Sequence, residues 1–222
     1  MTTESRIAEV GARARRVGYP PEPAGLPPGT VAEAGAFRVR FARTPEDLEK
    51  VLRLRYEVFN LELKEGLDAS HETGLDEDEF DATCHHLLVE HGDAGEVVGT
   101  YRMQTSTMAG ERGFYSAGEF DLTAVPATIL DASVEIGRAC IAREHRNRQL
   151  LFLLWRGLAE YMIYNRMRYM FGCCSLTSQD PVEGLEALDH LERRGAMHPD
   201  LTIRPLPGLE CAVPGEPVRA PD

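Results

Sequence analysis

The sequence lacks any run approaching the roughly 20 apolar residues that cross a bilayer, and it opens without the apolar core of a secretory signal. Both absences set the expectation of a cytoplasmic protein. A disulfide framework is also missing. Five cysteines, two of them adjacent at Cys173 and Cys174, suit a reducing compartment. Positive charge is scarce: 24 Lys and Arg stand against 36 Asp and Glu, a net charge of −12. That balance argues against nucleic acid as a partner, while leaving room for a local basic patch. No internal repeat is visible. What remains is a chain of 222 residues, 43% hydrophobic, long enough for one well-formed core.

Composition divides the chain into three. Residues 1–35 read as an N-terminal tail followed by the Pro/Gly-rich linker "GYPPEPAGLPPGTVAEAG". Within the tail, "SRIAEVGARARRVG" has two readings, a frayed solvated segment or a short basic helix making peripheral contact with anionic lipid. Residues 36–205 form the expected domain, and 206–222 a Pro-rich C-terminal tail.

The domain reads as an α/β (α+β) chain in the order β-α-β-β-β-α-β-α. "FRVRFA" alternates as a strand. "TPEDLEKVLRLRYEVFN" opens a helix, with Thr44 as N-cap, Pro45 at its first position and Asp47 completing a capping box. "TCHHLLVEH", "GDAG" and "EVVGTYRMQTS" give a hairpin, and "DASVEIGRACIA" a further strand. "NRQLLFLLWRGLAEYMIYNRM" is a long helix, with Leu150, Leu151, Leu154, Leu158 and Met162 as its apolar stripe. "YMFGCCSL" is a strand and "PVEGLEALDHLERRG" a helix. The sum is a mixed sheet flanked by helices, with a parallel crossover across the long helix.

Several charges sit where apolar residues belong. Leu48, Leu52, Arg55 and Phe59 share one helix face, so Arg55 lies on the core stripe and needs an anionic partner. Five acids crowd residues 76–81, but an EF-hand counted from Asp76 puts Asp81 where Gly is needed and Leu87 where Glu is needed. Asp78 and Asp81 then offer carboxylates either to a cationic substrate or to Arg55, against the plainer reading of a solvated acidic loop. Cys84, His85 and His86 lack a companion CxxC or HxxxH, so no metal site is expected.

Arg102 lies either on an edge strand facing water or in a cleft with those acids. Glu135 and Arg138 are three apart in an apolar strand. A β-bulge at Gly137 would bring them to one side and free a backbone N–H. The alternative is a core salt bridge. From Arg138 to Arg168 there are seven arginines and two glutamates. Arg143, Arg146 and Arg148 lead into the N-terminus of the long helix, a place that attracts phosphate or an acidic partner. Cys140, Cys173 and Cys174 fall in apolar strands and read as inert core residues.

Taken in order, "RLRYEVFNLEL", "DEFD", "HHLLV", "VVGTYRM", "EIGRACI", "LLWRGLAEYM" and "FGCCSLTSQDP" resemble the GNAT acyltransferases over about residues 36–190. More narrowly, the chain resembles the branch that uses acyl carrier protein donors. That branch comprises the ornithine-acyl carrier protein N-acyltransferases and N-acyl amino acid synthases and, more distantly, the acyl-homoserine lactone synthases. The resemblance implies a GNAT-like, mostly antiparallel central sheet with a β-bulge in its central strand. It carries functional roles onto Arg55 and Phe59, Asp78 and Asp81, Arg102, and Glu135 and Arg138.

The usual glycines of a GNAT donor loop are absent from "REHRNRQLL". That departure favours acyl carrier protein over coenzyme A, with no permanently bound cofactor, and the acyl-phosphopantetheine serves as a substrate. The expected reaction moves a long-chain fatty acyl group, with or without a 3-hydroxyl, to the amine of an amino acid, foremost ornithine, as the first step toward an ornithine lipid. Glu135 would be the base and the bulge N–H near Arg138 the oxyanion donor. Asp78 and Asp81 would hold a cationic acceptor and Arg102 its carboxylate, with Tyr161 or Tyr164 protonating the thiolate. The alternatives are another acceptor amino acid, an acetyl-coenzyme A-dependent acetyltransferase, and a module that binds acyl carrier protein without catalysis.

Overall fold

The computed structural model describes residues 18–176, 178–213 and 215. Most of the basic N-terminal segment, up to residue 17, lies outside these, as does most of the end of the C-terminal tail. The elements in chain order are β1 (Thr30–Ala34), β2 (Phe37–Phe41), α1 (Pro45–Arg55), α2 (Ser70–Thr73), β3 (His85–His91), β4 (Glu96–Thr105), α3 (Ser106–Ala109), β5 (Phe120–Asp121), α4 (Ala127–Leu130), β6 (Ser133–Ile141), α5 (Arg148–Tyr164), β7 (Tyr169–Phe171), α6 (Pro181–Arg193) and β8 (Arg204–Pro205). A six-stranded sheet runs β1-β2-β3-β4-β6-β7, and β5 pairs with β8 separately. Neighbours from β1 to β6 are antiparallel, while β6 and β7 are parallel across α5.

The two sheet faces are covered by different helices. Leu150, Leu153, Leu154, Leu158 and Tyr161 of α5 pack on Val39, Phe41, Leu87, Val89 and Met103. At Gly157 a Cβ would come within 2.6 Å of the Leu87 side chain, so glycine is what lets α5 lie this close to the sheet. On the other face Leu48, Val51 and Leu52 of α1 pack with Ala42 and Leu88. Among the described residues, no helix is long and apolar enough to cross a membrane.

Four local expectations change. The presumed linker contributes β1 to the sheet and buries Tyr19 and Leu26, so folded structure begins well before residue 36. In α5, Leu151 is exposed and Leu153 takes the core position. The buried steps run 150, 153, 154, 157, 158 and 161, one face of a 3.6-residue helix. At the start of α1, Thr44 accepts from the Asp47 N–H as expected. The Asp47 carboxylate, however, takes the Arg43 N–H and the Arg40 guanidinium instead of closing the box. Finally, the helix expected through Asn60 is α-helical only as far as Arg55 and runs on as a π-helix, Tyr56–Leu63. Such wide turns collect at functional sites.

Candidate active site

The polar centre of the molecule is assembled from α1, the acidic loop after α2, and strands β4 and β6. Arg55 is fully buried. Its Nε donates to Asp76 Oδ1 at 2.8 Å and its Nη1 to Asp81 Oδ1 at 2.5 Å. Arg102 Nη1 reaches both Asp78 oxygens at 2.6 Å and Asp81 Oδ1 at 3.1 Å. Arg138 Nη2 closes the chain on Asp76. Three guanidinium groups thus meet three carboxylates, as buried charge demands. Burial acts to raise the Asp81 pKa, but Arg55, His86 and Arg102 outweigh it and hold the carboxyl well below the usual range.

The two histidines after the loop are structural. His85 Nε2 meets the carbonyl of Pro21 at 2.6 Å. A carbonyl only accepts, so Nε2 carries the proton and Nδ1 accepts from Tyr161 Oη at 2.8 Å. Burial lowers the His85 pKa to about 4. His86 is tied in the same way between Asp81 and Tyr19. Elsewhere, His91, Glu96 and His145 place one donor atom each within 4.8 Å of one another. They lie on strand ends and a loop away from this centre.

The expected bulge is present, with a different residue under strain. Thr100 pairs with Cys140 and Arg102 with Gly137, so β6 holds one residue more than β4 over this interval. Arg138 takes the left-handed conformation, φ 46°, a conformation costly for a non-glycine residue. Its guanidinium lies 4.8 Å from the centre of the Phe59 ring.

Beside the bulge, β6 and β7 part. Their pairing ends at Glu135 and Phe171. Gly172 makes the last close approach, where a Cβ would sit 2.1 Å from the Ile136 carbonyl oxygen. Beyond it, residues 136–139 and 170–176 both line a cavity of about 790 Å³. Phe59, Arg102, Gln104, Glu119 and Glu135 line it too, with Trp155 from α5. The antiparallel register sets Gln104 opposite Glu135 and Arg102 opposite Gly137, so these four share one face. Glu135 is 5% exposed and accepts from the Tyr115 and Ser116 N–H groups and from Ser116 Oγ.

The structure therefore brings Arg102, Glu135, Arg138 and Phe59 to one cavity and draws Arg55, Asp78 and Asp81 into the supporting ion pairs. Several assignments change. Asp78 and Asp81 are not free to hold a cationic acceptor, because Arg102 and Arg55 already neutralise them. Arg102 likewise arrives paired, over the rings of Phe80 and Tyr115, and is not a vacant carboxylate receptor. Tyr161 is core-packed against Phe41 and His85, and neither it nor Tyr164 lines the cavity, whereas Tyr101 and Tyr115 do. Cys173 and Cys174 line the cavity instead of filling the core, although burial pushes the Cys173 thiol up to about 11.

Of the loop arginines, Arg146 is held by Glu62 through two bonds of 2.6 Å, and Arg143 and Arg148 are exposed. Asp76 and Gln104 were missed. Asp76 was legible only as one acid in a run. Gln104 follows Arg102 by two, and that parity was the available signal.

Residues 54–156 match the family described as acetyltransferase (GNAT) domain. An L-ornithine N(alpha)-acyltransferase of Agrobacterium fabrum is 34% identical over 171 residues, 73% of this chain and 58% of that protein. The enzyme of the same name from Brucella abortus is 32% identical over 186 residues, 78% of this chain and 64% of its own length. The chain thus spans about three fifths of the length of these curated relatives. The crystal structure of the acyl-homoserine lactone synthase LasI is similar at a TM-score of 0.45 and 18% identity, over 71% of this chain and 78% of that one. With a mixed sheet of six strands flanked by helices and a family match over residues 54–156, the chain carries a GNAT domain and is a homologue of the L-ornithine N(alpha)-acyltransferases.

Proposed function

We propose that the protein transfers a long-chain fatty acyl group from the phosphopantetheine thioester of acyl carrier protein to the α-amine of ornithine. The observation that carries this reading is the carboxylate of Glu135 facing a cavity that opens where β6 and β7 part. The names of the homologous enzymes support the acceptor. An acyl-pantetheine arm is long and thin, and the gap between parted strands suits it.

The acyl carbon loses its bond to sulfur and gains one to nitrogen. Glu135 takes the proton that the amine must shed. A carboxylate has about four acceptor positions; three are taken by Tyr115 and Ser116, which fix the group and leave one for the amine or a bridging water. The backbone at the Arg138 bulge, released from the ladder, stabilises the carbonyl oxygen as it becomes negative. The thiolate leaves and is protonated, with Tyr101 and Tyr115 the phenols within the cavity. Arg55, Asp76, Asp78, Asp81 and Arg102 hold β4, β6 and the acidic loop in register around this centre. Arg143 and Arg148 meet the acidic surface of the carrier protein, with Arg146 braced by Glu62. The product is amphiphilic, which favours action at the inner face of the cytoplasmic membrane.

The test incubates the protein with ornithine and either long-chain acyl carrier protein, long-chain acyl-coenzyme A or acetyl-coenzyme A, and reads products by mass spectrometry. N-acylornithine from the carrier-protein donor is expected. Product only from acetyl-coenzyme A would replace this reading with that of an acetyltransferase. Stable binding of carrier protein without any product would make the chain a non-catalytic module.

A further inference from the structure

Buried polar atoms without partners are rare in a folded protein, and each asks for an explanation. Among the described residues five such side-chain atoms occur: both carboxamide atoms of Gln104, Nε of Arg138, Asn60 Oδ1 and Ser70 Oγ. Three of the five belong to two residues that line the same cavity. Gln104 is 2% exposed, on the face of β4 shared with Arg102 and directly opposite Glu135. Leaving both ends of a carboxamide dry in that position is costly. Neighbouring polar groups are already committed: Glu135 to the 115–116 loop, and Arg102 to Asp78 and Asp81.

The unused chemistry is specific. Gln104 offers a donor and an acceptor, and Arg138 offers a donor that carries positive charge. A group supplying both an anion and N–H bonds would satisfy all three. The head of an α-amino acid does so, with its carboxylate and amine on one carbon. The pantetheine arm does not, because it brings no anion to the reacting end. Location agrees, since the amine must reach Glu135 and Gln104 is its cross-strand neighbour.

We propose that Gln104 and Arg138 form the subsite that binds the α-amino acid head of the acceptor. The α-carboxylate receives hydrogen bonds from Gln104 Nε2 and Arg138 Nε, and Gln104 Oε1 accepts from the α-amine, turning its lone pair toward the acyl carbon. This rests on the N-acyltransfer reading for the identity of the reaction, but not for the binding itself. Gln104 is thereby a specificity residue: it separates amino acids from diamines of the same length that lack the carboxylate.

The experiment compares wild type with Gln104→Leu, which keeps the bulk and removes the hydrogen bonds, and with Gln104→Met should the leucine variant fail to fold. Calorimetric titration with ornithine, a panel of other α-amino acids and 1,4-diaminobutane reads binding without turnover. Steady-state kinetics then read KM for acceptor and donor separately. The expected result is an acceptor Kd and KM weakened about 10- to 100-fold, the loss of a hydrogen bond to a charged group. The donor KM stays unchanged, and the preference of wild type for ornithine over 1,4-diaminobutane collapses. If wild type binds another amino acid and the variant weakens it equally, ornithine is the wrong acceptor and the subsite stands. If wild type binds no amino acid in the panel, or the variant binds as tightly as wild type, the proposal is overturned and the carboxamide holds only water.

Discussion

Two charged regions lie side by side in this molecule and behave differently. In the ion-pair cluster, Arg55, Asp76 and Asp81 are fully buried and each has its partners. On the adjoining cavity wall, Glu135 keeps one acceptor position, and Gln104 and the Nε of Arg138 are unmatched. The first region is a framework, costly to build and inert once built. The second keeps polar atoms that the fold itself does not answer, the chemistry the proposed subsite would use. Arg138 joins the two, with Nη2 bonded to Asp76 in the framework and Nε buried without a partner. Misplaced charge alone does not mark a site; charge or polarity that the fold leaves unanswered does.

The comparison breaks first at Glu135. Glu135→Gln keeps the side chain's size and should lower kcat by about 100- to 10,000-fold, the range for losing a general base, with the acceptor KM little changed. An unaltered kcat would move Glu135 into the framework. Next comes the framework itself. Arg55→Leu removes a buried charged partner from both Asp76 and Asp81, leaving one guanidinium each from Arg138 and Arg102, and should destabilise the fold by about 3 kcal/mol in denaturant titration. A change under about 1 kcal/mol would mean that the cluster is not as dry as its burial indicates.

A third effect concerns pH. His85 is held neutral, its pKa lowered to about 4 by burial, whereas an unfolded histidine titrates near 6.5. The unfolded chain therefore binds the proton first. Stability is fully present above about pH 6.5 and is lost, at up to about 1.4 kcal/mol per pH unit, as pH falls toward 4. His86, lowered in the same direction by burial, adds to the loss. Asp81, held well below the usual carboxylate range, adds to the loss only at the bottom of that window, where an unfolded aspartate with a pKa of about 3.9 begins to take up its proton and the folded one does not. Calorimetric melting between pH 7 and 4.5 checks the slope; a flat Tm would contradict it. The smallest expected effect is at the donor loop. Arg148→Glu should raise KM for carrier protein about two- to five-fold and blunt its dependence on salt. An acidic residue at a helix start does not harm the helix, so a folding defect would not account for the change.

Much of this was legible in the chain. Alternation and turn chemistry gave the hairpin of β3 and β4, and helical spacing placed Arg55 on a buried face. The three-residue step from Glu135 to Arg138 implied the bulge. What remained hidden depended on three-dimensional partnership. Spacing leaves Asp78 and Asp81 open to a cationic substrate or to Arg55, and only the folded geometry shows Arg55 on Asp81 and Arg102 on Asp78. The bulge was assigned to Gly137 on conformational ease, yet the partnership with Asp76 and Phe59 holds Arg138 in the strained position instead. The Pro/Gly content of residues 18–35 resembles a linker because composition does not record that Tyr19 and Leu26 find cover in the core. Gln104 escaped notice because a glutamine in a strand is unremarkable until its neighbours are known to be engaged elsewhere.

The most direct test of the central claim is a crystal structure with a non-hydrolysable acyl-pantetheine thioether and ornithine bound together. The acyl chain and sulfur should lie in the gap between β6 and β7, with the α-amine within hydrogen-bond reach of Glu135. Ligands seated instead in the smaller cavity bounded by Leu54, Glu62 and Glu144, with the Glu135 wall left empty, would contradict it.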